Sequence, residues 1–406
     1  MRAVVVALGK VGLPLAARIA LAGHEVLGCD VDQRTVDLVN AAEPPFPNEA
    51  GLAEALAETV GDGRLRATTD TTSAVAMAPD LVVLVPPLMV DEHARPDWRV
   101  LDAVARDVRA GLQPGTTVAL ETTVPVGTTR RRLAPALGGR DDVHVVFSPE
   151  RVYSGRVLRD LDAYPKLVGG LDAASEARGI ELYASFLDAE VRGMGSAEAA
   201  ELAKLAETTY RDLNIAFANE LAVHADEIGV DVDRVIDAAN SQPFSHIHRP
   251  GIAVGGHCIP VYPRFFLEGG PDIRLPRVAR EVNEAMPAYA ADLLGDVADR
   301  RVLVLGVAYR GGVKETAFSG AFPLRDELRR RGARVLAADP LFAGDELEAL
   351  GFEPWDRGPV DAVVVQADHA EYRELDVPGA RVVVDGRGVV ERVPDGVSLR
   401  RIGRPS

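Results

Sequence analysis

The chain has 406 residues, 47% of them hydrophobic, a formal net charge of −16 and two cysteines. That length suits two or three domains with sizeable cores, and the negative charge argues against nucleic acid as a partner, since phosphate backbones call for a basic face. Cys29 and Cys258 are too few and too far apart for a disulfide framework or a zinc site, so no metal and a reducing, cytoplasmic setting are expected.

The opening run MRAVVVALG reads as a strand that enters a glycine turn, not as a signal peptide. No stretch approaches the roughly 18–20 apolar residues of a membrane helix. Strands are predicted at Ala3–Val6, Glu25–Gly28, Leu81–Val85, Thr117–Leu120 and His144–Phe147, with Ala-, Leu- and Arg-rich helical stretches between them. Such alternation implies a parallel sheet with crossover helices on its faces. From Ser196 to Gly229 there is no proline and no internal glycine, and Leu202, Leu205, Leu213, Phe217 and Leu221 recur at helical spacing. One long helix is predicted there, of the kind that bridges domains or forms a dimer contact. Glu207, Arg211 and Asp212 read as its polar face, with Asn214 and Asn219 as candidate exceptions. Alternation returns with predicted strands at Arg301–Leu305, Arg334–Ala338, Asp361–Val365 and Val382–Val384.

Three segments carry chemistry. In VVVALGKVGLPLA, Ala7, Gly9 and Gly12 form an A-x-G-x-x-G turn between a strand and a helix. A full dinucleotide fingerprint has glycine at the first position. Gly9 lets a pyrophosphate approach the backbone, Gly12 lets the helix pack on the strand, and the helix N-terminus turns its free N–H groups toward the phosphates. Asp30 ends the second predicted strand. A carboxylate there accepts bonds from ribose hydroxyls and repels an extra phosphate, which favours NAD over NADP. Arg34 pulls the other way, as a side chain able to take that phosphate.

The second segment, GIAVGGHCIPVYP, sets Cys258 beside Gly255, Gly256 and His257. Glycines there suit a turn that presents the sulfur to a ligand, although a free cysteine is most often buried and inert. His257 is either a group that lowers the thiol pKa or an ordinary loop histidine. The third segment, AELAKLAETTYRDLNIAFANELA, places Lys204 among apolar residues of the long helix. A lysine there is either a snorkelling surface residue or, if buried, an electrostatic catalyst.

Together with ETTVPVGTT, FSPERVYSGR, KLVGG, GVAYRGGVKET and ADHAEYREL, these segments resemble the UDP-glucose/GDP-mannose dehydrogenase family from Met1 to about Arg387, within it the UDP-N-acetyl-D-mannosamine dehydrogenase branch. The resemblance implies an α/β chain with two Rossmann-like parallel-sheet domains joined by a long central helix region. Its parts are an NAD-binding domain over 1–194, a helical dimerisation and catalytic-cysteine region over 195–295, and a nucleotide-sugar domain over 296–406. It further implies a cytoplasmic homodimeric enzyme of polysaccharide biosynthesis that oxidises C6 of a UDP-sugar by four electrons through a thiohemiacetal and a thioester on Cys258.

In residue terms the resemblance puts NAD against Gly9, Lys10, Val11, Gly12, Asp30, Arg34, Pro86 and Thr123. Thr123 also stands near the reacting water, as does Glu150. Lys204 supplies positive charge where oxyanions develop. Arg151, Asn214 and Gly255 join Glu150 and Lys204 around the substrate, and Arg310, Lys314 and Arg387 are candidates for its diphosphate. Arg249 matches a loop that reaches a partner subunit's pocket. Two departures bear on the chemistry: Thr208 stands where the family has asparagine, and Tyr262 where it has aspartate. Both leave a hydroxyl but remove an amide or a charge, so alcohol oxidation is safer than hydrolysis. Lys10 replaces an aromatic residue, and Pro87 and Gly388 replace polar ones. The expected substrate is UDP-N-acetylmannosamine or UDP-N-acetylglucosamine. The alternatives are UDP-glucose, a two-electron reaction that stops at the aldehyde, and a silent nucleotide-sugar-binding protein.

Overall fold

The computed structural model describes every residue except Asn48, Glu92, Ser154, Pro271 and Ser406, so Ser154 of the FSPERVYSGR motif lies outside the described residues. The chain divides into two compact units, Met1–Glu207 and Thr208–Ser406, and the continuous helix Ala197–Ile228 carries the boundary. This is the predicted long helix to within a residue at each end, unbroken because no proline or glycine interrupts it.

In the first unit the strands are β1 (Arg2–Val6), β2 (Glu25–Cys29), β3 (Leu65–Thr68), β4 (Leu81–Leu84), β5 (Thr117–Leu120), β6 (His144–Phe147), β7 (Lys166–Gly170) and β8 (Val191–Gly193). They form one sheet in the order β3-β2-β1-β4-β5-β6-β7-β8. The fully buried runs of β4 and β5 are the reading expected of strands covered on both faces. β1 to β6 are parallel, but β7 runs antiparallel to β6, with Val146 opposite Gly170 and Phe147 opposite Gly169. That reversal brings the start of β7 to the end where β6 finishes. The core on one face gathers Leu13, Ile19, Leu56, Val83 and Tyr183.

In the second unit β9 (Arg301–Leu305), β10 (Arg334–Ala338), β11 (Glu353–Pro354), β12 (Ala362–Val365), β13 (Val382–Asp385) and β14 (Ser398–Arg401) form a wholly parallel sheet. Its order is β11-β10-β9-β12-β13-β14, that of the first six strands of the other sheet. Ala218, Ala222 and Ala225 of the long helix pack with Met286 and Ala290 of the helix Leu275–Asp292 and with β9 in this unit's core. Asp212 does not lie on a solvated face as the sequence suggested. It is fully buried, pairing with Arg280 at 2.8 Å and accepting from Asn283 at 2.8 Å. Burial pushes its carboxyl up while Arg280 and Asn283 pull it down, for a net rise. Asn219 is buried as well, bonded to Asn283 Oδ1 and to the Gly251 N–H.

Candidate active site

The glycine turn of the first unit sits at the carboxyl end of β1. Ala7 takes φ +75° and its N–H donates to the Cys29 carbonyl at 2.8 Å. The helix Gly12–Leu21 then starts so close to the turn that a Cβ on Gly12 would lie 2.0 Å from the Ala7 oxygen, whereas a Cβ on Gly9 would meet nothing within 4 Å. Gly12 is therefore a packing requirement and Gly9 faces open space, the division of labour a pyrophosphate site needs. Asp30 stands beside the turn: one oxygen accepts from the Leu8 N–H at 2.8 Å, the other from the Asp32 N–H at 3.0 Å. Each oxygen keeps a lone pair for a ribose hydroxyl. Gly9, Lys10 and Arg34 are exposed and Val11 is half-buried.

The crevice continues along the carboxyl edge of the sheet, where open α/β sheets bind ligands. Pro86 follows β4, and its carbonyl accepts from Thr122 Oγ1 at 2.6 Å, which ties it to the segment holding the buried Thr123. Glu201, on the long helix one turn before Lys204, grips the same segment. It accepts from the Thr129 N–H at 2.8 Å, from the Thr129 hydroxyl at 2.7 Å and from the Gly127 N–H. Burial raises the Glu201 carboxyl, and these donors offset part of that rise. Lys204 itself is buried, its Nζ 3.4 Å from Glu207 Oε1. Glu207 Oε2 accepts from Arg151 Nε at 3.0 Å. Lys204, Glu207, Arg151 and the neighbouring Glu150 thus form one connected set.

Glu150 follows β6. Its Oε1 accepts from the N–H groups of Arg151 at 2.6 Å and Val152 at 3.1 Å. Its Oε2 lies 3.3 Å from Nζ of Lys166, a lysine buried at the head of β7. Lys166 also pairs with buried Glu121 at 2.9 Å, and Glu121 accepts from the Tyr183 hydroxyl. Burial pushes the Glu121 carboxyl up to about 7, with Glu150 adding to the rise and Lys166 opposing it. Sequence reasoning missed Glu121, Lys166, Tyr183 and Glu201. The available signal was a charged residue abutting an apolar strand, as Glu121 does TVAL and Lys166 does LVGG.

In the second unit Cys258 is exposed, whereas Cys29 is buried at the end of β2 and its thiol is pushed up to about 12 by burial. The glycines before Cys258 are explained by contact. A Cβ on Gly255 would lie 2.6 Å from Tyr309 Cβ, and Gly256 has φ +92° with its N–H on the Ala317 carbonyl. The cysteine loop is thereby seated on the segment carrying Arg310 and Lys314. His257 is engaged by Glu315. The N–H of Tyr262 donates to the Cys258 carbonyl at 2.9 Å. Thr208 is buried one turn after Lys204 on the long helix. Asn214 bridges to the following loop, donating to the His246 carbonyl at 2.7 Å and accepting from the His248 N–H at 2.8 Å. A cleft of about 360 Å³ brings Arg249 and Arg387 together with Arg401 and Arg404, a local basic lining in an acidic chain, moderated by Asp233, Asp237 and Asp385. Arg387 Nε donates to the Gln366 carbonyl at 2.7 Å, and burial lowers its guanidinium from the ordinary value. Arg310 and Lys314 do not line that cleft. Arg310 leans on the Tyr309 hydroxyl, and Lys314 pairs with Glu346.

A glycine turn opening a helix and an acid at the end of the second strand define a Rossmann-type dinucleotide-binding unit. Comparison with known proteins narrows this. The UDP-glucose/GDP-mannose dehydrogenase family matches through its NAD binding domain at residues 1–187, its central domain at 198–285 and its UDP binding domain at 303–392. The UDP-N-acetyl-D-mannosamine dehydrogenase of Pyrococcus horikoshii is 33% identical, covering 100% of this chain and 99% of its own. An NDP-N-acetyl-D-galactosaminuronic acid dehydrogenase of Ralstonia solanacearum is 36% identical over 95% of both chains. Among solved structures, the Pyrococcus horikoshii enzyme superposes with a TM-score of 0.89 at 31% identity, covering 100% of this chain and 99% of that one. A UDP-glucose dehydrogenase from Pyrobaculum islandicum superposes with 0.86 at 30%, covering 98% of each. The chain belongs to the UDP-glucose/GDP-mannose dehydrogenase family and is an NAD-dependent nucleotide-sugar dehydrogenase. No helix among the described residues is long and apolar enough to cross a membrane, and no group of three or more His, Cys, Asp or Glu among them is arranged to hold a metal.

Proposed function

We propose that the chain oxidises the C6 alcohol of a UDP-linked N-acetylhexosamine to the carboxylate, with UDP-N-acetylmannosamine as first choice and UDP-N-acetylglucosamine next. The observation that carries the covalent route is the contrast between its thiols: Cys258 is open to solvent on a glycine loop, and Cys29 is buried with a raised pKa. Bound NAD⁺ supplies the hydride acceptor, used twice per sugar. The alcohol carbon loses hydride and its oxygen a proton, giving the aldehyde. The Cys258 sulfur adds to that carbon as a thiohemiacetal, which holds the reactive aldehyde in place. Loss of a second hydride gives a thioester. Water then adds, the carbon–sulfur bond breaks, and the thiol and the carboxylate are released. Per sugar, two NAD⁺ and one water become two NADH and three protons.

In this reading Lys204 opposes the charge of the developing oxyanions. Glu150 takes a proton from the hydrolytic water, with Thr123 beside it. Arg151, Asn214 and Gly255 shape the sugar pocket, Arg310, Lys314 and Arg387 bind the diphosphate end, and Arg249 reaches the pocket of the partner subunit. The relatives named for UDP-N-acetyl-D-mannosamine support the choice of sugar. Thr208 and Tyr262 favour a second reading, a two-electron enzyme that releases aldehyde; UDP-glucose is the next sugar to try. A panel of nucleotide sugars, scored by NADH formed per sugar consumed, decides. Two per sugar supports the four-electron route, one supports the aldehyde, and none with any sugar ends both.

Cys258→Ser provides the direct check. A serine hydroxyl is almost wholly protonated near neutral pH, so it is the poorer nucleophile. The first hydride transfer should survive in part, while steady turnover stalls and aldehyde or a covalent adduct builds up by intact mass. Native turnover to the uronate would remove Cys258 from the mechanism. The reading also includes a homodimer on the long helix, where Leu202, Tyr210 and Phe217 leave an exposed apolar stripe at helical spacing. Sedimentation as a monomer across micromolar concentrations counts against it.

A further inference from the structure

Below Glu150 lies a group of charges that the reaction as written does not use. We propose that Lys166 is a positioning residue of the hydrolytic step: backed by Glu121 and Tyr183, its buried ammonium holds the Glu150 carboxylate in place beside the water. The proposal rests on the reading of Glu150 as the base for that water. Four elements build the arrangement. Glu121 directly follows β5, Glu150 follows β6, Lys166 opens β7, and Tyr183 comes from the helix Ala173–Ala184. The antiparallel pairing of β6 and β7, with Phe147 opposite Gly169, places position 150 opposite position 166 when the register is extended. Ser148 Oγ donating to the Leu167 carbonyl at 2.9 Å keeps the two segments in that register.

The distances specify how the load is shared. Lys166 Nζ is 2.9 Å from Glu121 Oε2 and 3.3 Å from Glu150 Oε2. Tyr183 donates to the other Glu121 oxygen. Glu121, Lys166 and Tyr183 are all buried, and Glu150 alone keeps some exposure. A lysine buried to this degree costs several kcal/mol unless paired, and two facing carboxylates raise the ammonium above its ordinary value despite the opposing effect of burial. It therefore stays charged. Glu150 has three donors on it: two backbone N–H groups on Oε1 and the ammonium on Oε2. Oε2 retains one acceptor position for a water proton.

Glu121 governs how much of the ammonium Glu150 receives. The groups facing Glu121 are Lys166, Glu150 and Tyr183. When Glu121 is ionised it competes with Glu150 for one cation and the group carries a net charge of −1. When it is protonated the cation serves Glu150 alone. Burial first, and then Glu150, raise its carboxyl above the ordinary carboxylate value, and Lys166 opposes them, so protonation of Glu121 becomes accessible at higher pH than for a free carboxylate.

The test separates the first hydride transfer from thioester hydrolysis by rapid mixing, on the full-length protein with its sugar substrate and NAD⁺. Lys166→Met should cut the hydrolysis rate on the order of 100-fold, the scale for a misplaced reacting group. Its first NADH burst should persist and a thioester adduct should accumulate by mass. Lys166→Arg should restore part of the rate. Glu121→Gln keeps the shape and the tyrosine bond but has no charge to titrate. It should flatten the change in hydrolysis rate across neutral pH that a raised, titrating Glu121 carboxyl is expected to give the native protein. A folded Lys166→Met that hydrolyses at the native rate, or a Glu121→Gln profile that matches the native one, overturns the proposal. If Lys166→Met does not fold, Glu121→Gln alone decides. Glu150→Gln is the separate control: native turnover there removes the reading of Glu150 itself, and the role of Lys166 with it.

Discussion

The two sheets were built to one plan and then put to different uses. In each, the residue after the first strand sends its N–H to the last residue of the second strand: Ala7 to Cys29 and Gly306 to Ala338, both at 2.8 Å. In each, the acid after the second strand reaches back to the turn after the first. Asp30 accepts from Leu8 at 2.8 Å, and Asp339 accepts from Val307 at 2.7 Å and Ala308 at 2.9 Å. The difference lies in what happens next. After β1 the chain enters a helix at Gly12, so helix N–H groups and a half-exposed carboxylate share one crevice. After β9 the helix waits until Ala321, and Asp339 is sealed under His369, whose Nε2 is 3.3 Å away. An acid at the end of the second strand is thus a structural staple first. It is open to a cofactor hydroxyl only where a helix N-terminus and solvent access accompany it.

The largest expected effect follows from the closed copy. Asp339→Ala leaves three backbone N–H groups without their acceptor in a buried turn, those of Val307, Ala308 and Leu341. The expected loss is about 3–5 kcal/mol, the scale for breaking a buried charged network. Chemical denaturation measures it, and a loss under 1 kcal/mol would sink the staple argument. The pH dependence has a definite sign. Burial alone would raise the Asp339 carboxyl, but His369 and the three N–H groups more than offset this and hold it below the usual range. A carboxyl depressed in the folded state contributes stability that is present above its unfolded pKa and disappears as pH falls through the lower folded value. Asp339→Asn should blunt that acid limb of the denaturation curve.

The open copy should respond in binding before stability. Asp30→Ala is expected to weaken NAD binding by roughly 1–3 kcal/mol, the range for charge-assisted hydrogen bonds. The accompanying stability loss should be smaller than at Asp339, since water can reach the freed groups. Titration calorimetry with NAD and NADP reads the first part. Tighter binding of NADP to the native protein would mean that Arg34, not Asp30, sets the cofactor choice.

The same contrast explains what was legible in the sequence. The central strands were, because β4 and β12 are apolar throughout and buried, and β5 and β9 depart from that only at their first residues, Thr117 and Arg301. β3, β8 and β14 were not: they lie toward the sheet margins, and LRAT, VRG and SLRR mix polar and apolar residues. The glycine turn and Asp30 were legible because neighbours in sequence make them. Lys166 was not, because its meaning depends on a strand reversal that brings β7 against β6. A lysine before an apolar run reads as surface until two carboxylates from other elements are known to face it. Asp212 was misread for the same reason, its partner Arg280 lying on a different helix. Cys258 and Lys204 were legible only through the family resemblance, since a lone cysteine and a helical lysine have commoner explanations.

The smallest expected effect tests the plan at its hinge. Ala7 and Gly306 occupy equivalent positions, and both have left-handed φ, +75° and +91°. Glycine bears that conformation freely, whereas an L-residue with a Cβ pays roughly 1–2 kcal/mol for it. The second turn uses glycine because Ala367 leaves no room: a Cβ on Gly306 would lie 2.5 Å from its Cβ. The first turn carries alanine and therefore carries the strain. Ala7→Gly relieves it but adds roughly 0.4–1 kcal/mol of unfolded-chain entropy. The net gain is expected to be about 1 kcal/mol or less, or about 2–4 °C in Tm at most for a unit of this size. A fall in Tm would mean that the methyl group of Ala7 contributes packing that outweighs its backbone, and the two turns would then differ in more than access.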